Sequence, residues 1–404
     1  MTWPTVKVGD LVDQVRGVTY SSGDAIDESK DGYIELLRAN NIDNGQLNFS
    51  NLIYVPKSKV SDKQYIKKND IVIAASSGSL SVVGKAGALT DERQCTFGAF
   101  CKVLRPNSKV NARYIANYFQ TRVYRQTISS LAEGANINNL RNEHIDNLLI
   151  VFPPLAEQKR IAAILDKAEE IKRKREQAIT KLDELAQGTF VDMFGDFMKN
   201  SERIELKDLI AEFRYGTSNK SSDSGHPTLR IPNIAYGSLN LTELKTVVVT
   251  AEEFKRLQLT NGDLLFVRTN GNPEYVGRCV VFNPTDVEKY AYDSSSYIYA
   301  SYLIRARLKT GVILPIILQE FLSTVEGKKA LKARCKTSAG QFNINTEGLG
   351  SIPIPIFPTP LQERFTHIKK SIELQKSLCE KGLWEINRTI NSLQHQAFTT
   401  GFSA

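Results

Sequence analysis

The chain has 404 residues, which is too long for one ordinary hydrophobic core and predicts two or three compact units. Its 41% hydrophobic and 24% charged residues are typical of a soluble globular protein and argue against disorder. No stretch is apolar enough to cross a membrane, and the charged N-terminus does not resemble a secretory signal, so the sequence predicts a cytoplasmic protein. The net charge of +8 favours a polyanionic partner, because lysine and arginine displace counterions from phosphates.

Taken in chain order, the second half of the sequence repeats the first at an offset that varies between 192 (Leu37 to Leu229) and 208 (Leu185 to Leu393). Other matched pairs are Asp10-Leu11 with Asp208-Leu209, Asn41-Ile42 with Asn233-Ile234, Asp70 with Asp263, Val83-Gly84 with Val276-Gly277, Asn136–Asn138 with Asn343–Asn345, and Phe190 with Phe398. Such a period is too long for a solenoid repeat. It predicts duplication of a whole domain with its appendage.

The sequence predicts that each copy is a β-rich module followed by a long helix. We expect a first module at 1–152, a first long helix at 153–195, a second module at 196–357 and a second long helix at 358–404. Within the modules, helical patterns run from Ala112 to Ser130 and from Leu314 to Lys332. The predicted fold class is α+β, with two similar mixed modules separated by a pair of long antiparallel coiled-coil helices and a pseudo-twofold internal duplication.

Both long helices carry a narrow apolar seam at three-and-four spacing, which we expect each helix to bury against the other. The seam residues are Ile161, Ile164, Ala168, Ile171, Leu182 and Leu185 in the first helix and Ile368, Ile372, Leu383, Ile386, Ile390 and Leu393 in the second. Only Arg175 interrupts the first seam. A helix of roughly 30 to 35 residues spans about 50 Å, more than one turn of duplex, so the pair is suited to act as a ruler.

Motifs for catalysis or metal binding are incomplete. Gly78 to Lys85 has the wrong spacing for a phosphate-binding loop, and Asn272 to Tyr275 departs from the Asn-Pro-Pro-Tyr motif of amino-group methyltransferases, so we interpret it as a proline-containing turn. The histidines, His144, His226, His367 and His395, and the cysteines, Cys95, Cys101, Cys279, Cys335 and Cys379, lack metal-ligand spacing. We predict reduced, mostly buried thiols, no bound metal, and no catalytic site on this chain.

Polar residues that can contact bases or phosphates cluster at turns after strands, which favours DNA recognition. In the first module they are Arg38, Asn40, Asn41, Ser76, Ser77, Lys85, Asn136, Asn138, Asn139 and Arg141. In the second they are Arg230, Asn233, Arg268, Thr269, Asn270, Arg278, Lys336, Gln341, Asn343 and Asn345. The alternative is that the asparagines and glycines at these places simply form turns.

The segment Phe152-Pro-Pro-Leu-Ala-Glu-Gln-Lys-Arg-Ile161, echoed by Phe357-Pro-Thr-Pro-Leu-Gln-Glu-Arg364, resembles the conserved region of type I restriction-modification specificity subunits. The resemblance covers the whole chain, and each module is similar to a target recognition domain of that family. It implies that each module recognises one half of an asymmetric, bipartite site in double-stranded DNA, while the helices set the spacer.

The resemblance also implies partners. Methyltransferase subunits would dock on the helices and bring S-adenosylmethionine, and a motor endonuclease subunit would use ATP and magnesium. None of these cofactors is expected on this chain. Two other hypotheses stay open at this point: a self-sufficient DNA modification enzyme with unrecognised catalytic motifs, and a coiled-coil scaffold whose basic charge is incidental.

Overall fold

The computed structural model describes residues 3–43, 45–134, 139–234, 237–288, 292–338 and 340–400. Contacts divide the chain into two compact units, Met1–Gln177 with Cys379–Ala404, and Ala178–Leu378. Each long helix therefore contributes to both units. No helix of the described ranges has the length and apolar character needed to cross a membrane.

The first unit is built on a six-stranded sheet in the order β2-β10-β7-β8-β5-β4, with a smaller sheet β6-β3-β9 and a strand pair β1-β11. Its strands are β1 (Thr5–Lys7), β2 (Val12–Arg16), β3 (Tyr33–Leu37), β4 (Ile42–Asp43), β5 (Gln46–Leu47), β6 (Ile53–Pro56), β7 (Ile71–Ala74), β8 (Ala86–Ala88), β9 (Cys95–Phe97), β10 (Cys101–Pro106) and β11 (Leu149–Val151). Its helices are α1 (Ala112–Tyr118), α2 (Arg122–Gly134), α3 (Asn142–Asp146) and the first part of α4 (Leu155–Asn200).

The second unit contains the sheets β13-β21-β17-β19, β14-β16-β15-β20 and β18-β23-β22 and the strand pair β12-β24. Its strands are β12 (Arg203–Glu205), β13 (Ile210–Tyr215), β14 (Ser221–Ser222), β15 (His226–Leu229), β16 (Lys245–Val247), β17 (Leu264–Val267), β18 (Thr269–Asn270), β19 (Cys279–Val281), β20 (Ile298–Tyr299), β21 (Leu303–Leu308), β22 (Lys336–Ser338), β23 (Gln341–Asn343) and β24 (Pro353–Pro355). The helices are α5 (Leu206–Leu209), α6 (Ile231–Ile234), α7 (Ala251–Leu257), α8 (Pro284–Val287), α9 (Pro315–Ser323), α10 (Val325–Lys332), α11 (Thr346–Gly350) and α12 (Thr359–His395). The part of α4 after Gln177 also belongs to this unit, and the part of α12 from Cys379 onward belongs to the first.

The two modules share one topology, which confirms the predicted α+β class and the duplication. The order β2-β10-β7-β8 of the first corresponds to β13-β21-β17-β19 of the second. Likewise β6-β3-β9 corresponds to β16-β15-β20, and in both the last pair is parallel while its neighbour is antiparallel. Gly84 and Gly277 occupy equivalent turns at φ of 79° and 80°, a backbone region that favours glycine.

A buried aspartate precedes the central strand of each main sheet. Asp70 accepts hydrogen bonds from the backbone N–H of Lys67 at 2.8 Å and from the Arg105 guanidinium at 2.7 Å. Asp263 makes the same pair of bonds with the Thr260 N–H and the Arg307 guanidinium, both at 2.8 Å. The bonds to aspartate raise the pKa of both arginines. Each carboxylate thus ties the incoming loop to the neighbouring strand, β10 or β21.

Each helical pattern predicted inside a module is two helices rather than one. The first divides between α1 and α2 at Thr121, and the second between α9 and α10 at Thr324. Thr121 donates to the Tyr118 carbonyl at 2.8 Å and accepts from the Tyr124 N–H at 3.1 Å. The Thr324 hydroxyl makes the equivalent bonds at 2.6 and 3.1 Å. A threonine hydroxyl that caps a new helix in this way ends the preceding one.

The first turn of each long helix contains a buried glutamine at a matched position. Gln158, 1% exposed, accepts a hydrogen bond from the Asn111 N–H at 2.8 Å and donates to the Pro153 carbonyl at 2.8 Å. Gln362, 2% exposed, accepts from the Leu314 N–H at 2.9 Å and donates to the Phe357 carbonyl at 2.8 Å. Each glutamine therefore joins the start of a long helix to the start of a helix in its module, α1 or α9.

Within each unit the two long helices pack against each other in antiparallel fashion. In the first unit Ile161 and Phe398 share one core, and a Cβ at Gly382 would collide with the Arg175 guanidinium. In the second unit Phe190 stacks edge-on to Phe365 at 5.2 Å between ring centroids, and Lys376 pairs with Asp183 at 2.6 Å. Arg175, which interrupts the seam in the sequence, thus lies on the paired face.

The burial predicted for the apolar seams of the two long helices is confirmed for part of their length. Ile161, Ala168, Ile372 and Ile390 are buried, and Ile164, Leu182, Ile368, Leu383, Ile386 and Leu393 are half-buried. The prediction is wrong for Ile171 and Leu185, which are 38% and 54% exposed. Beyond Leu182 the buried residues are Ala186, Phe190, Phe194 and Met198, at a spacing of four rather than three and four. A spacing of four moves the buried face around the helix away from a heptad seam.

Candidate nucleic-acid interface

Four separate segments of the first module meet at one corner of its sheets. The turn at residues 98–101 is closed by a hydrogen bond from the Cys101 N–H to the Gly98 carbonyl at 2.8 Å. Gly98 N–H also donates to Leu37, the last residue of β3, at 2.9 Å. The Phe100 carbonyl accepts from the Ser76 N–H at 3.0 Å, and Ser76 bridges to Asn139. We call the turn at 98–101, and its equivalent at 300–303, the corner turn.

The second module builds the same corner. Leu303 N–H closes the turn onto the Ala300 carbonyl at 2.9 Å, and Ala300 N–H donates to Leu229, the last residue of β15, at 2.9 Å. The Tyr302 carbonyl accepts from the Arg268 N–H at 2.9 Å, and the Arg268 carbonyl accepts from Ile344 at 2.9 Å. Because the backbone bonds match those of the first module, the two corners are one scaffold used twice.

The corner gathers most of the predicted DNA-binding residues from distant parts of each module. In the first module the residues on its segments are Arg38, Asn40 and Asn41 after β3, Ser76 and Ser77 after β7, and Asn139 and Arg141 beyond the Ser76 bridge. In the second module they are Arg230 and Asn233 after β15, Arg268 beside the small sheet that holds Thr269, Asn270, Lys336, Gln341 and Asn343, and then Asn345. Lys85 and Arg278 lie on the neighbouring turn, where the Arg278 guanidinium is bonded to the Glu274 carbonyl. Asn136 and Asn138 lie outside the described residues.

Two buried asparagines in the turns after β3 and β15 hold the backbone of the corner. Asn41 is 1% exposed; its side chain accepts from the Arg38 N–H at 2.9 Å and donates to the Asn48 carbonyl at 3.0 Å. Asn233, also 1% exposed, bonds in the same way to Arg230 and Asn240. The prediction that these two amides contact bases is therefore wrong, because both are enclosed and occupied in holding a turn.

Each neighbouring arginine uses part of its guanidinium in a hydrogen bond within its own module. Arg38 donates from one terminal nitrogen to the Asn51 carbonyl at 3.1 Å, and Arg230 donates to the Glu243 carbonyl at 2.8 Å. Both side chains are half-buried. Each guanidinium keeps further N–H groups beyond that bond, so each arginine can still donate to a phosphate or a base edge.

Two contacts hold the Arg268 side chain at the second corner. Its guanidinium lies 4.8 Å from the centroid of the Tyr215 ring and donates to the Ser301 carbonyl of the corner turn at 3.3 Å. Stacking on a ring holds the planar fork in one orientation, which suits bidentate donation to guanine. Sequence reasoning missed Tyr215, since only tertiary packing brings β13 beneath Arg268.

One pairing of the duplicated sequence needs correction. The segment after the bridge in the first module, Asn139-Leu140-Arg141, corresponds to Asn343-Ile344-Asn345, because Leu140 donates to Ala75 as Ile344 donates to Arg268. Arg141 and Asn345 each precede the short helix that follows, α3 or α11. The sequence match of Asn343–Asn345 with Asn136–Asn138 is therefore three residues out of register.

The incomplete motifs fold as ordinary turns. The Asn272 side chain accepts from the Glu274 N–H at 3.0 Å and caps a single 3-10 turn at Pro273–Tyr275, which confirms the interpretation as a turn. In the part of the chain that the structure describes, no group of three or more histidine, cysteine or acidic side chains is arranged to hold a metal ion.

These features define a class: a duplicated protein whose two α+β modules present polar side chains on one repeated corner, each module followed by a long helix. Residues 1–181 match the family model of the type I restriction modification DNA specificity domain. The chain is 33% identical to the type I restriction enzyme EcoKI specificity subunit of Escherichia coli (strain K12), over 99% of this chain and 88% of the relative.

Further comparisons agree. The StySPI specificity subunit of Salmonella potsdam is 30% identical over 99% of this chain and 88% of its own. The fold is shared with the crystal structure of the type I restriction-modification system S subunit from M. genitalium, at a TM-score of 0.58 and 15% identity, covering 100% of this chain and 97% of that one. The chain belongs to the family of type I restriction-modification specificity subunits.

Proposed function

We propose that each module binds one half of an asymmetric, bipartite DNA site through its corner, while α4 and α12 set the distance between the halves. One observation carries the proposal: the same backbone scaffold presents different side chains in the two modules. Ser76 of the first stands where Thr269 stands in the second, and Ala75 where Arg268 stands. Different donors on one scaffold select different base pairs, so the half-sites are unlike.

The partners follow from the family. Methyltransferase subunits dock around the long helices and supply S-adenosylmethionine for adenine methylation, and a motor endonuclease subunit supplies the ATP- and magnesium-dependent step. This chain contributes recognition without catalysis and acts in the cytoplasm. Incubation of the purified chain with DNA and S-adenosylmethionine tests the division of labour: no methyl transfer is expected until methyltransferase subunits are added, and transfer by the chain alone contradicts it.

Substitutions at the two corners test the assignment of half-sites. The chain is expressed with methyltransferase subunits in a host free of other methylation, and the methylated motif is sequenced. Arg268→Ala should relax the second half-site and weaken binding by roughly 5- to 150-fold, the effect of one bidentate base contact. Lys255→Ala removes an exposed charge from α7 and serves as the control. A change in both half-sites would contradict independent modules.

The spacer is tested by length. Insertion of about four residues, roughly one helical turn, into both long helices should widen the gap between half-sites and leave their sequences unchanged. The insertions are placed after Gln177 and after Leu378, where the two compact units divide. An unchanged gap would remove the helices from the measuring role.

A further inference from the structure

The corner turns carry exposed aromatic rings at the same position. Phe100 is 70% exposed and Tyr302 is 59% exposed, and both are the third residue of a four-residue turn with the same closing hydrogen bond. A single exposed aromatic side chain is common on protein surfaces and needs no explanation. An exposed aromatic ring at the same position of both modules does need one, because many other positions differ between the two copies.

The turn holds each ring on a rigid backbone. The Phe100 carbonyl accepts from both Ala75 and Ser76, at 2.9 and 3.0 Å, and the Tyr302 carbonyl accepts from Arg268 at 2.9 Å. Where the first strand of each main sheet ends, Gly17 and Gly216 pass so close to the start of the corner turn that a Cβ would collide with carbonyl oxygens of its first residue and of the residue before it. The backbone below the ring is thus fixed from several sides.

The surroundings of the Tyr302 ring indicate its partner. Tyr302 follows Ser301, whose carbonyl accepts a hydrogen bond from the Arg268 guanidinium. Among the described residues, that guanidinium contacts the Tyr215 ring and the Ser301 carbonyl and no carboxylate. An exposed ring beside an arginine without a carboxylate partner suits nucleic acid, where phosphates meet the charge and thymine methyl groups or base edges meet the ring.

We propose that Phe100 and Tyr302 are base-contacting residues, one for each half-site, and that each places its ring against a base or thymine methyl of the duplex. The inference rests on the proposed function and deepens it by naming an apolar contact that is common to both corners. Because the contact is made by the ring, the Tyr302 hydroxyl is dispensable.

Binding by the assembled methyltransferase tests the inference, with a duplex carrying the site found by methylome sequencing and a scrambled duplex as reference. Phe100→Ala and Tyr302→Ala should each weaken binding of the specific duplex by roughly 5- to 150-fold, the effect of losing the recognition of one base pair. Tyr302→Phe should bind as the unaltered chain does. Val325→Ala, at an 84% exposed position on α10, is the matched control.

Each outcome decides one question. If the unaltered complex does not prefer the specific duplex, the proposed function fails; if it does and both alanine variants bind normally, only the aromatic contact fails. Replacement of Phe100 by the photocrosslinker p-benzoyl-phenylalanine gives a second readout that does not depend on affinity. A covalent adduct with labelled DNA supports the inference, and an adduct with a methyltransferase subunit instead overturns it.

Discussion

The polar joint between module and long helix differs between the two copies both in charge and in position. In the first, Asp166 of α4 accepts hydrogen bonds from Arg113 at 2.7 Å and Asn117 at 3.1 Å. In the second, Lys369 of α12 pairs with Glu320 of α9 at 3.0 Å. The charge on the helix is negative in one copy and positive in the other.

The comparison shows what divergence preserved. Counted from the matched glutamines, Asp166 lies eight residues along α4 and Lys369 seven residues along α12. Neither the charges of the contact nor its exact position on the long helix was therefore kept. Both copies keep a charge-assisted contact between the long helix and the helix of the module that packs on it.

The largest expected effect comes from the feature that both copies share without change. Asp70→Ala and Asp263→Ala each leave an arginine and a buried backbone N–H without their carboxylate, and each should lower the free energy of unfolding of its own unit by ~3–5 kcal/mol. Hydrogen exchange of the backbone amides within each unit measures this loss of stability. Asp24→Ala, which removes a surface pair with Lys59, is the control and should cost much less. Equal losses from all three would contradict the structural role of the buried pair.

Removing the helix-entry glutamines should have a smaller effect. Gln158→Leu and Gln362→Leu each leave one buried N–H and one carbonyl unpaired, at a cost of roughly 2–3 kcal/mol. Denaturant unfolding measures the change, and Gln177→Leu, at an exposed position of α4, is the matched control. Similar losses of stability at the two sites would support an equivalent role for the two glutamines. No loss at one site would show that the two copies differ there.

A smaller difference should separate the two charged joints. The Glu320–Lys369 side chains are 10% and 15% exposed, whereas Arg113 and Asp166 are 38% and 32% exposed. A double-mutant cycle with alanine should give a coupling energy of about 1–2 kcal/mol for the buried joint. The exposed joint should give roughly 0.2–1 kcal/mol and weaken with salt. The reverse order would contradict burial as the cause.

The smallest effect is on thiol reactivity, which leaves stability untouched. Burial raises the pKa of the Cys95 and Cys101 thiols to about 12, and it raises that of Cys279 as well. The reactive thiolate is therefore nearly absent at pH 8, and these cysteines should resist alkylation until the pH approaches their pKa. Half-buried Cys379 should label first, as followed by peptide mass spectrometry. Rapid labelling of Cys101 at pH 8 would show that its sheet opens.

Local signals in the sequence predicted much of the molecule. The duplication, the strand after Asp70 and Asp263, and the start of both long helices each depend on a few adjacent residues. Candidates for DNA contact were found because polar residues follow strands. Burial is not a local property, however, and so Asn41 and Asn233 were misjudged from their position alone.

Other features depend on distant partners. The breaks at Thr121 and Thr324 arise from hydroxyl caps that helical periodicity does not reveal. Leu185 lies outside the packed face because aromatic side chains from Phe190 onward follow a spacing of four in the core of the second unit. The register of Asn343–Asn345 became visible only through the backbone bonds of the corner.

The sequence by itself determined that this protein is a twofold repeat of module and helix, because repetition and helical periodicity depend only on residue order. The proline-containing segments at the start of the two helices carried the resemblance to a family of DNA specificity subunits. The tertiary structure alone decided which side chains stand at the corner and which are enclosed beneath it. That decision depends on hydrogen bonds between segments far apart in the chain, whose free energies are set by burial and geometry rather than by neighbouring residues.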